Sequence, residues 1–504
     1  MRGEAGRLEG SRDRAANVAT VAAAAFVTAA GFVQLPAPFH GDQALFEVVA
    51  RALRDGARLY VDIWDNKQPG VFWFFLAGGH LFGFSEIGAH ALELLWQTAC
   101  ALLLALALRP LFDRAALAAA VPLATVGAYY CATGSRQMTQ VEALIGFPLF
   151  CSLWLSRPGR GPWAFFFSGV AAGIVAVFKQ VIAPIAVVFW ILAVLRARRD
   201  QKEPLSSSVR FRLLPAAAGV LAALAAAAAW FAAHDSLGAL AWNVFVYPLG
   251  ALLVAQPAPR IRFFASGFWF LSRCAPWIAL AVWGAFRGRR DWLRGDCIGW
   301  IAAAVVILGA QRFSLWDYHF LMFVVPVGIL AVRGIEAIST RTVVRVALVA
   351  AACVPGLILL APKAAAWVPI APGFDPEAVA VYQRAQSTYY LDLGRESAFL
   401  GEPDALPGPI YVWGDPRILL LSGRRQAVPL CGWAWEDMLD EPIAEAARQL
   451  AAAPPPYLYV SADARNVLRR RVPAILDWMK TVYEPLKTGG HGEWLKRAAA
   501  PSPP

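Results

Sequence analysis

The sequence is short of charged residues. Asp, Glu, Lys and Arg make up 16% of its 504 residues, whereas hydrophobic residues make up 58% and the mean hydropathy is +0.50. Soluble globular proteins carry about 25% charged residues. This composition excludes a chain built only from soluble domains and indicates a polytopic membrane protein.

The sequence also lacks paired cysteines and nucleotide-binding motifs. Its seven cysteines are scattered, six of them inside apolar segments, and they form no CxxC pair and no Cys/His spacing suited to zinc. This pattern indicates neither a disulfide framework nor a structural metal site. We find no P-loop and no convincing dinucleotide fingerprint, so the motifs do not point to a nucleotide substrate.

What the sequence does contain is a series of long apolar runs. A helix needs about 20 apolar residues to cross the bilayer core. The chain offers about eleven such runs, which predict an α-helical polytopic membrane protein. The runs are 17–35, 87–108, 115–132, 141–155, 163–178, 181–195, 213–233, 263–286, 297–310, 320–332 and 343–360.

The formal net charge of +11 comes from arginines in short clusters between these runs. A nucleic-acid-binding protein would gather them on one face or tail, so we predict no nucleic-acid partner. The clusters fall in alternate loops, which predicts that these loops are cytoplasmic. They hold Arg109 and Arg114; Arg157 and Arg160; Arg196, Arg198, Arg199, Lys202, Arg210 and Arg212; Arg287, Arg289, Arg290 and Arg294; and Arg333, Arg341 and Arg345.

An odd number of spans places the basic N-terminus in the cytoplasm and the region after Pro362 outside. The predicted location is the cell membrane (inner or plasma membrane). As an alternative for the first run, a basic start, an alanine-rich core and small residues also fit a secretory signal peptide. Either way, the loop that begins near Asp42 lies on the extracytoplasmic side.

Two helices are predicted in this first outer loop. In the segment 41–54 apolar residues recur at helical spacing, with Gln43, Glu47, Arg51 and Arg54 on the other side, so we expect an amphipathic helix in the membrane interface. The aromatic segment 70–83 that follows is too short to span comfortably, and we expect an interfacial or re-entrant helix.

Residues 363–504 form a separate predicted domain after a transmembrane domain at 1–362. Prolines and charges become more frequent there, and no spanning run remains. "PIYVWG" (409–414) and "PPPYLYVSAD" (454–463) read as short strands flanking a helix in 436–453. We expect a small extracytoplasmic α/β layer.

Charged residues gather at the outer ends of the spans, where lipid makes them costly. Asp42 also fits a helix N-cap, and Glu142 fits the capping box "TQVE". Ordinary alternatives exist for the others as well: solvated loop residues, a snorkelling lysine or interfacial anchors. These other residues are Asp62, Asp65, Lys67, Gln68, Lys179, Arg312, Asp317, Tyr318 and His319.

Together, these groups suggest chemistry on a lipid-linked substrate. A carboxylate acts as a general base on an acceptor hydroxyl or binds a metal ion. Lysine and arginine hold a phosphate whose negative charge grows as it leaves. An interfacial helix leaves the lipid tail in the bilayer while its head group reaches these residues.

The segment "GDQALFEVVARALRDGARLYVDIWDNKQPGVFWFFLAGGHLFGFSE" resembles the first outer loop of GT-C glycosyltransferases. The resemblance is to the dolichyl-phosphate-mannose protein mannosyltransferase and aminoarabinose transferase superfamily, including RgtA/B/C/D-like enzymes. The usual "D-K-P-P" turn reads "NKQPG" here, with Gln68 in place of one proline. The arginine usually found soon after "s-e" is missing, and Ala89 and His90 lie in that vicinity.

The resemblance implies roles for several residues. Asp42 matches the family's acidic residue that acts as the catalytic base or organises it, Glu142 resembles the acidic residue that starts the fourth span, and Lys67 resembles the turn lysine near the lipid phosphate. "FKQ" (178–180), "WDYHFLMFVVP" (316–326) and "IYVWGDPRILLLSGRR" (410–425) look like later family features.

The sequence therefore predicts an inverting glycosyltransferase that moves one sugar from a polyprenyl-phosphate donor to a lipid, glycan or protein acceptor. Its catalytic residues are Asp42 and Glu142, which are also the candidate ligands if a divalent metal ion is needed. Alternatives are a transporter or flippase of lipid-linked sugars and a non-catalytic scaffold. Lys67, Lys179 and Arg312 are predicted to bind the donor phosphate, and Asp62, Asp65, Gln68, Tyr318 and His319 to bind substrate.

Overall fold

The computed structural model describes residues 2–254, 259–311, 315–370, 373–433 and 439–498. Most of these residues are helical. Within the described residues, nine helical segments are long and apolar enough to cross a membrane, so the chain is a multi-pass membrane protein. They are Asp13–Phe32, Glu86–Leu111, Ala115–Ala132, Pro162–Ile182, Leu205–Ala233, Arg260–Arg287, Trp292–Ala310, Asp317–Ile338 and Thr342–Trp367.

Helices also occupy the two remaining predicted runs. The run 141–155 forms the short helices Val141–Leu144 and Gly146–Leu155. The run 181–195 lies mostly in the helix Pro184–Gln201, whose last turns carry charged residues. The α-helical fold is therefore confirmed, and the hydropathy of the sequence located every helix of this set.

Contacts group the chain into two compact units. The first comprises Met1–Pro36, His90–Ala227 and Pro257–Asp375, and holds most of the spanning helices. The second comprises Ala37–Ala89, Ala228–Gln256 and Pro376–Pro504. The predicted boundary between residues 362 and 363 stays a prediction.

Glycines allow close helix packing in the first unit. A Cβ atom on Gly284 would collide with the backbone oxygen of Leu330, and one on Gly334 with that of Leu280. The helices Arg260–Arg287 and Val324–Ile338 therefore meet backbone to backbone. Small residues favour such approaches in membranes because helix association there depends on packing rather than on the hydrophobic effect.

The second unit contains a four-stranded sheet. Its strands are β1 (Ile410–Trp413), β2 (Tyr457–Ser461), β3 (Tyr483–Thr488) and β4 (Gly492–Arg497), in the order β1-β2-β4-β3. β1 and β2 are parallel, and the other two pairs are antiparallel. Both predicted strands are confirmed; the β3–β4 hairpin was not predicted, because β3 is largely exposed and lacks an apolar alternation.

The remaining helices of the second unit come from all three of its segments. Those that pack on the sheet bury Leu393 and Ile418 against the strand residues Val412, Tyr459 and Trp494. The helices are Gly41–Arg54, Pro69–Phe82, Leu237–Ala241, Tyr247–Val254, Pro376–Gln386, Thr388–Ser397, Arg417–Ser422, Asp440–Ala452, Ala462–Arg471 and Pro473–Val482. The pair Leu237–Ala241 and Tyr247–Val254 was missed from the sequence.

The helix Gly41–Arg54 forms as predicted, but the first half of its polar side is buried. Glu47 is only 1% exposed and Gln43 is fully buried. Arg51 joins Glu47 at 3.0 Å (Nε to Oε1) and donates to the carbonyl of Phe84 at 2.7 Å. Other parts of the chain therefore cover much of this polar side, and the predicted position of the helix in the membrane interface stays a prediction.

The aromatic helix Pro69–Phe82 lies against this first helix. Its 14 residues extend about 21 Å at 1.5 Å per residue, which is shorter than the bilayer core. The ring of Phe46 contacts the rings of Phe72 and Phe75 at centroid distances of 5.8 and 5.5 Å. The length and packing agree with the predicted short helix.

Candidate functional site

The predicted site residues fall into two clusters, one in each unit. The first-loop cluster belongs to the second unit and comprises Asp42, Asp65, Lys67, Asn243 and Trp433. The Glu142 cluster belongs to the first unit and comprises Glu142, Lys179 and His319. Arg312, predicted to bind the donor phosphate, lies outside the described residues.

Asp42 lies in the first turn of the helix Gly41–Arg54 and is not its N-cap. The N-cap is His40, whose backbone N–H donates to Gln43 Oε1 at 3.0 Å. The Asp42 side chain is 9% exposed, and its Oδ1 accepts a hydrogen bond from Trp433 Nε1 at 2.7 Å. The N-cap alternative for Asp42 is therefore wrong, and an indole fixes its carboxylate instead.

The loop that follows contains two aspartates in opposite environments. Asp62 is exposed and forms a two-pronged ion pair with Arg58 at 2.9 and 3.0 Å, and this hydrogen bonding lowers the pKa of Asp62. Asp65 is 1% exposed, and burial raises its pKa. The charge of Asp42 raises the pKa of Asp65 as well, whereas Lys67 lowers it. The solvated-loop alternative fits Asp62 but is wrong for Asp65.

Lys67 is held through its backbone. Its carbonyl accepts hydrogen bonds from the Tyr60 hydroxyl at 2.6 Å and from Asn243 Nδ2 at 3.3 Å, and its Nζ donates to Asn66 Oδ1 at 3.0 Å. Gln68 is the N-cap residue of the helix Pro69–Phe82 and has extended backbone angles. Pro69 at the first helical position explains this helix start, because its missing N–H leaves no unpaired donor.

Glu142 is the centre of the second cluster. It is 2% exposed and forms an ion pair with Lys179, and His319 Nε2 lies 3.5 Å from its Oε1. The predicted capping box is wrong: the N-cap of this helix is Gln140, and the Thr139 hydroxyl donates to Glu93 Oε2 at 2.7 Å. The Glu142 side chain therefore pairs with Lys179 and does not cap its own helix.

Lys179 and His319 reach Glu142 from two breaks in helical structure. Lys179 is the last residue of the helix Pro162–Lys179, and its backbone is extended (φ −161°, ψ 95°) before a short 3₁₀ turn begins. His319 lies in the 3₁₀ segment Asp317–Phe323. The ring of Tyr318 lies edge-on to His319 at 4.8 Å.

Cations near Trp316 were missed from the sequence. Arg262 lies 4.2 Å from the centre of the indole and Arg136 lies 5.8 Å from it, while Arg136 Nη1 is 3.9 Å from Asp317 Oδ2. Gln137 donates to that same Asp317 oxygen at 2.8 Å. These residues come from separate segments without a common spacing, so only the folded chain reveals the group.

The possible metal site at Asp42 and Glu142 stays a prediction. Each belongs to a different compact unit. Across the described ranges of the chain, no three His, Cys, Asp or Glu side chains are grouped so as to hold a metal ion.

Comparisons with known proteins identify the fold. No family model matches the chain, and no curated protein matches it by sequence. Among solved structures, ArnT from Cupriavidus metallidurans bound to undecaprenyl phosphate matches with a TM-score of 0.61 and 14% identity, over 97% of this chain and 99% of that one. The apo state of ArnT matches with the same TM-score and identity, over 96% and 99%.

A third match is to the arabinofuranosyltransferase AftD from mycobacteria. It has a TM-score of 0.45 and 15% identity, and covers 95% of this chain and 40% of that one. The match to ArnT extends over nearly the whole length of both chains and confirms the predicted GT-C type of fold.

Proposed function

We propose that this protein is an inverting membrane glycosyltransferase that takes its sugar from a polyprenyl-phosphate donor. The observation that carries the proposal is the full-length fold similarity to ArnT, which has been crystallised with undecaprenyl phosphate. Fold alone does not fix chemistry. The two buried, charge-bearing clusters add support because they supply a carboxylate base and cations for a phosphate.

Asp42 is the proposed general base. In an inverting displacement the acceptor oxygen bonds to the anomeric carbon, the bond from that carbon to the phosphate oxygen breaks, and the acceptor proton passes to the base. A hydrogen bond from Trp433 helps to hold the Asp42 carboxylate in one orientation. A fixed carboxylate suits this role because catalysis depends on the base being within reach of the proton it removes.

Lys67 is the proposed principal contact for the donor phosphate. Its backbone is anchored by Tyr60 and Asn243, so its side chain starts from a fixed point. Lys179 is already paired with the carboxylate of Glu142, which offsets its charge. Glu142 stays a proposed catalytic residue that also positions Lys179, and Lys179 stays a proposed phosphate contact.

The remaining predictions fit within this function. Asp62, Gln68, Tyr318 and His319 stay proposed substrate contacts, and the acceptor is a lipid, a glycan or a protein. Because arginines gather in alternate loops, the site faces the extracytoplasmic side of the cell membrane.

A direct assay tests the proposal. The purified chain in nanodiscs is first tested for binding of undecaprenyl phosphate, and the glycolipids and glycans of a deletion strain are then compared with wild type by mass spectrometry. We expect binding of the lipid and the loss of one sugar residue from one envelope product. Absence of binding would refute the polyprenyl-phosphate donor, and unchanged glycans would refute the sugar transfer, so either result overturns the function. A flippase would move the labelled donor between leaflets without transferring its sugar.

A further inference from the structure

Three buried oxygen atoms on Asp65 and Asn243 have no hydrogen-bond donor of normal geometry among the described residues. They are Oδ1 and Oδ2 of Asp65 and Oδ1 of Asn243. Asp65 is 1% exposed and Asn243 is fully buried. The backbone N–H groups of Asn66 and Lys67 lower the pKa of Asp65, yet no donor of normal hydrogen-bond geometry among the described residues reaches either carboxylate oxygen. Buried polar atoms are nearly always paired, so this group requires an explanation.

Asn243 is held against the loop that contains Asp65 and Lys67. Asn243 Nδ2 donates to the carbonyl of Lys67, which leaves Oδ1 as its acceptor atom. The rings of Trp64 and Trp242, next to Asp65 and Asn243 in sequence, lie 6.1 Å apart, and Trp64 also contacts Tyr247 at 5.2 Å. These aromatic contacts fasten the segment that carries Asn243 to the loop that carries Asp65 and Lys67.

The chemistry of the three atoms limits what can bind there. All three accept hydrogen bonds, so a ligand must bring O–H or N–H donors or a positive charge. A hard divalent cation usually requires about six oxygen ligands. One carboxylate and one amide oxygen are a poor set for such an ion, whereas they match neighbouring hydroxyl groups on a sugar ring.

We propose that Asp65 and Asn243 form a subsite for the hydroxyl groups of the donor sugar. This inference rests on the proposed function, because the sugar of a polyprenyl-phosphate donor is attached directly to the phosphate that Lys67 binds. Asn243 contacts the backbone of Lys67, and Asp65 lies two residues before it. Lys67 then recognises the phosphate, and the Asp65–Asn243 subsite distinguishes a glycosylated lipid from a bare one.

Binding measurements on the full chain in nanodiscs test the subsite. The probes are undecaprenyl phosphate and undecaprenyl phosphates carrying glucose, galactose, mannose or arabinose. We expect wild type to bind at least one glycosylated lipid more tightly than the bare lipid. Asp65→Asn and Asn243→Ala should each weaken that binding by about tenfold, as expected for a lost hydrogen bond to a buried partner. Asp65→Asn should leave the affinity for undecaprenyl phosphate unchanged, because Asp65 does not anchor Lys67.

Asp55→Asn is the matched control, because Asp55 lies in the same outer loop but is exposed and forms ion pairs with Arg54 and Arg425. It should bind every lipid as wild type does. If wild type fails to bind undecaprenyl phosphate, the proposed function fails. The subsite alone is overturned if wild type binds that lipid but does not prefer a glycosylated one. It is also overturned if Asp65→Asn and Asn243→Ala keep the wild-type preference.

Two further measurements separate the subsite from other roles of Asp65. Without lipid, Asp65→Asn should melt no lower than wild type, because the substitution removes a buried carboxylate that has no donor. A lower melting temperature would show that Asp65 has a structural partner and would overturn the proposal. Saturable binding of Mn²⁺ that disappears in Asp65→Asn would overturn it in favour of a cation site.

Discussion

The indole nitrogen of Trp433 donates a 2.7 Å hydrogen bond to Oδ1 of Asp42, a residue 391 positions earlier in the chain. A Cβ atom on Gly41 would collide with the ring of Trp433, so the close approach also requires glycine at position 41. The C-terminal region therefore takes part in holding the proposed catalytic base. We therefore expect substitutions at Gly41 and at Trp433 alike to affect the proposed activity.

Substitution of Asp42 should separate chemistry from structure. Asp42→Asn retains an acceptor for Trp433 but cannot take a proton, so turnover should fall by about 10²–10⁴-fold while the melting temperature changes little. Transfer of labelled sugar from the polyprenyl donor measures turnover. An Asp42→Asn protein that folds and transfers sugar at the wild-type rate would remove Asp42 from the mechanism.

Substitution of Trp433 tests how the base is oriented. Trp433→Phe keeps an aromatic ring but removes the donor to Asp42, and a hydrogen bond to a charged group contributes about 1.5–3 kcal/mol. We expect a loss of about tenfold or more in kcat with less change in the affinity for undecaprenyl phosphate. Trp478→Phe is a control at a half-buried position on the helix Pro473–Val482 of the same unit. Equal losses in both variants would argue against orientation by Trp433.

The Glu142–Lys179 pair should show strong energetic coupling. Removal of one partner leaves the other charge without its counter-ion, at a cost of about 3–5 kcal/mol for a fully buried pair and less here because Lys179 is 19% exposed. Glu142→Gln and Lys179→Met should each lower the melting temperature, and the double variant should be more stable than their sum predicts. Additive effects would show that the two side chains are not paired in solution.

Lys67 should control affinity for the donor phosphate. Lys67→Ala is expected to weaken binding of undecaprenyl phosphate by about tenfold or more, because a charge-assisted contact to phosphate is lost. Lys480→Ala is the matched control, since Lys480 is exposed and pairs with Asp477 at 2.9 Å. Unchanged affinity in Lys67→Ala would leave Lys67 as a snorkelling residue.

Glu47 should make stability depend on pH. Burial raises the pKa of Glu47 from 4.5 to about 7, although Arg51 opposes the shift. Between these two values the folded state therefore binds more protons than the unfolded state. The free energy of unfolding should fall as the pH rises from about 5 to 7, by roughly 3 kcal/mol. Thermal melts at pH 5 and pH 8 should show this difference in wild type and much less of it in Glu47→Gln. Identical pH dependence in both proteins would contradict the assignment.

Sequence patterns located the membrane helices and the parallel strands because these depend on local composition. An apolar run long enough to cross a bilayer must form a helix, since lipid offers no partner for its backbone. Thus 263–286 and 343–360 were recognisable at once, and so were the strands containing Tyr411 and Tyr459. The strand pair 483–488 and 492–497 was missed because its exposed polar residues carry no period-two pattern.

Tertiary structure alone decided which partners the charged side chains contact. The sequence singled out Asp42, Glu142 and Lys179, but it also allowed two caps that the structure replaces with contacts to Trp433 and Lys179. The sequence predicted substrate binding for both Asp62 and Asp65, although Asp62 is exposed and Asp65 is buried. Asn243 carried no signal at all. Spacing along a chain fixes which residues share a helix face, whereas burial and pairing depend on segments tens to hundreds of residues apart that come together only when the chain folds.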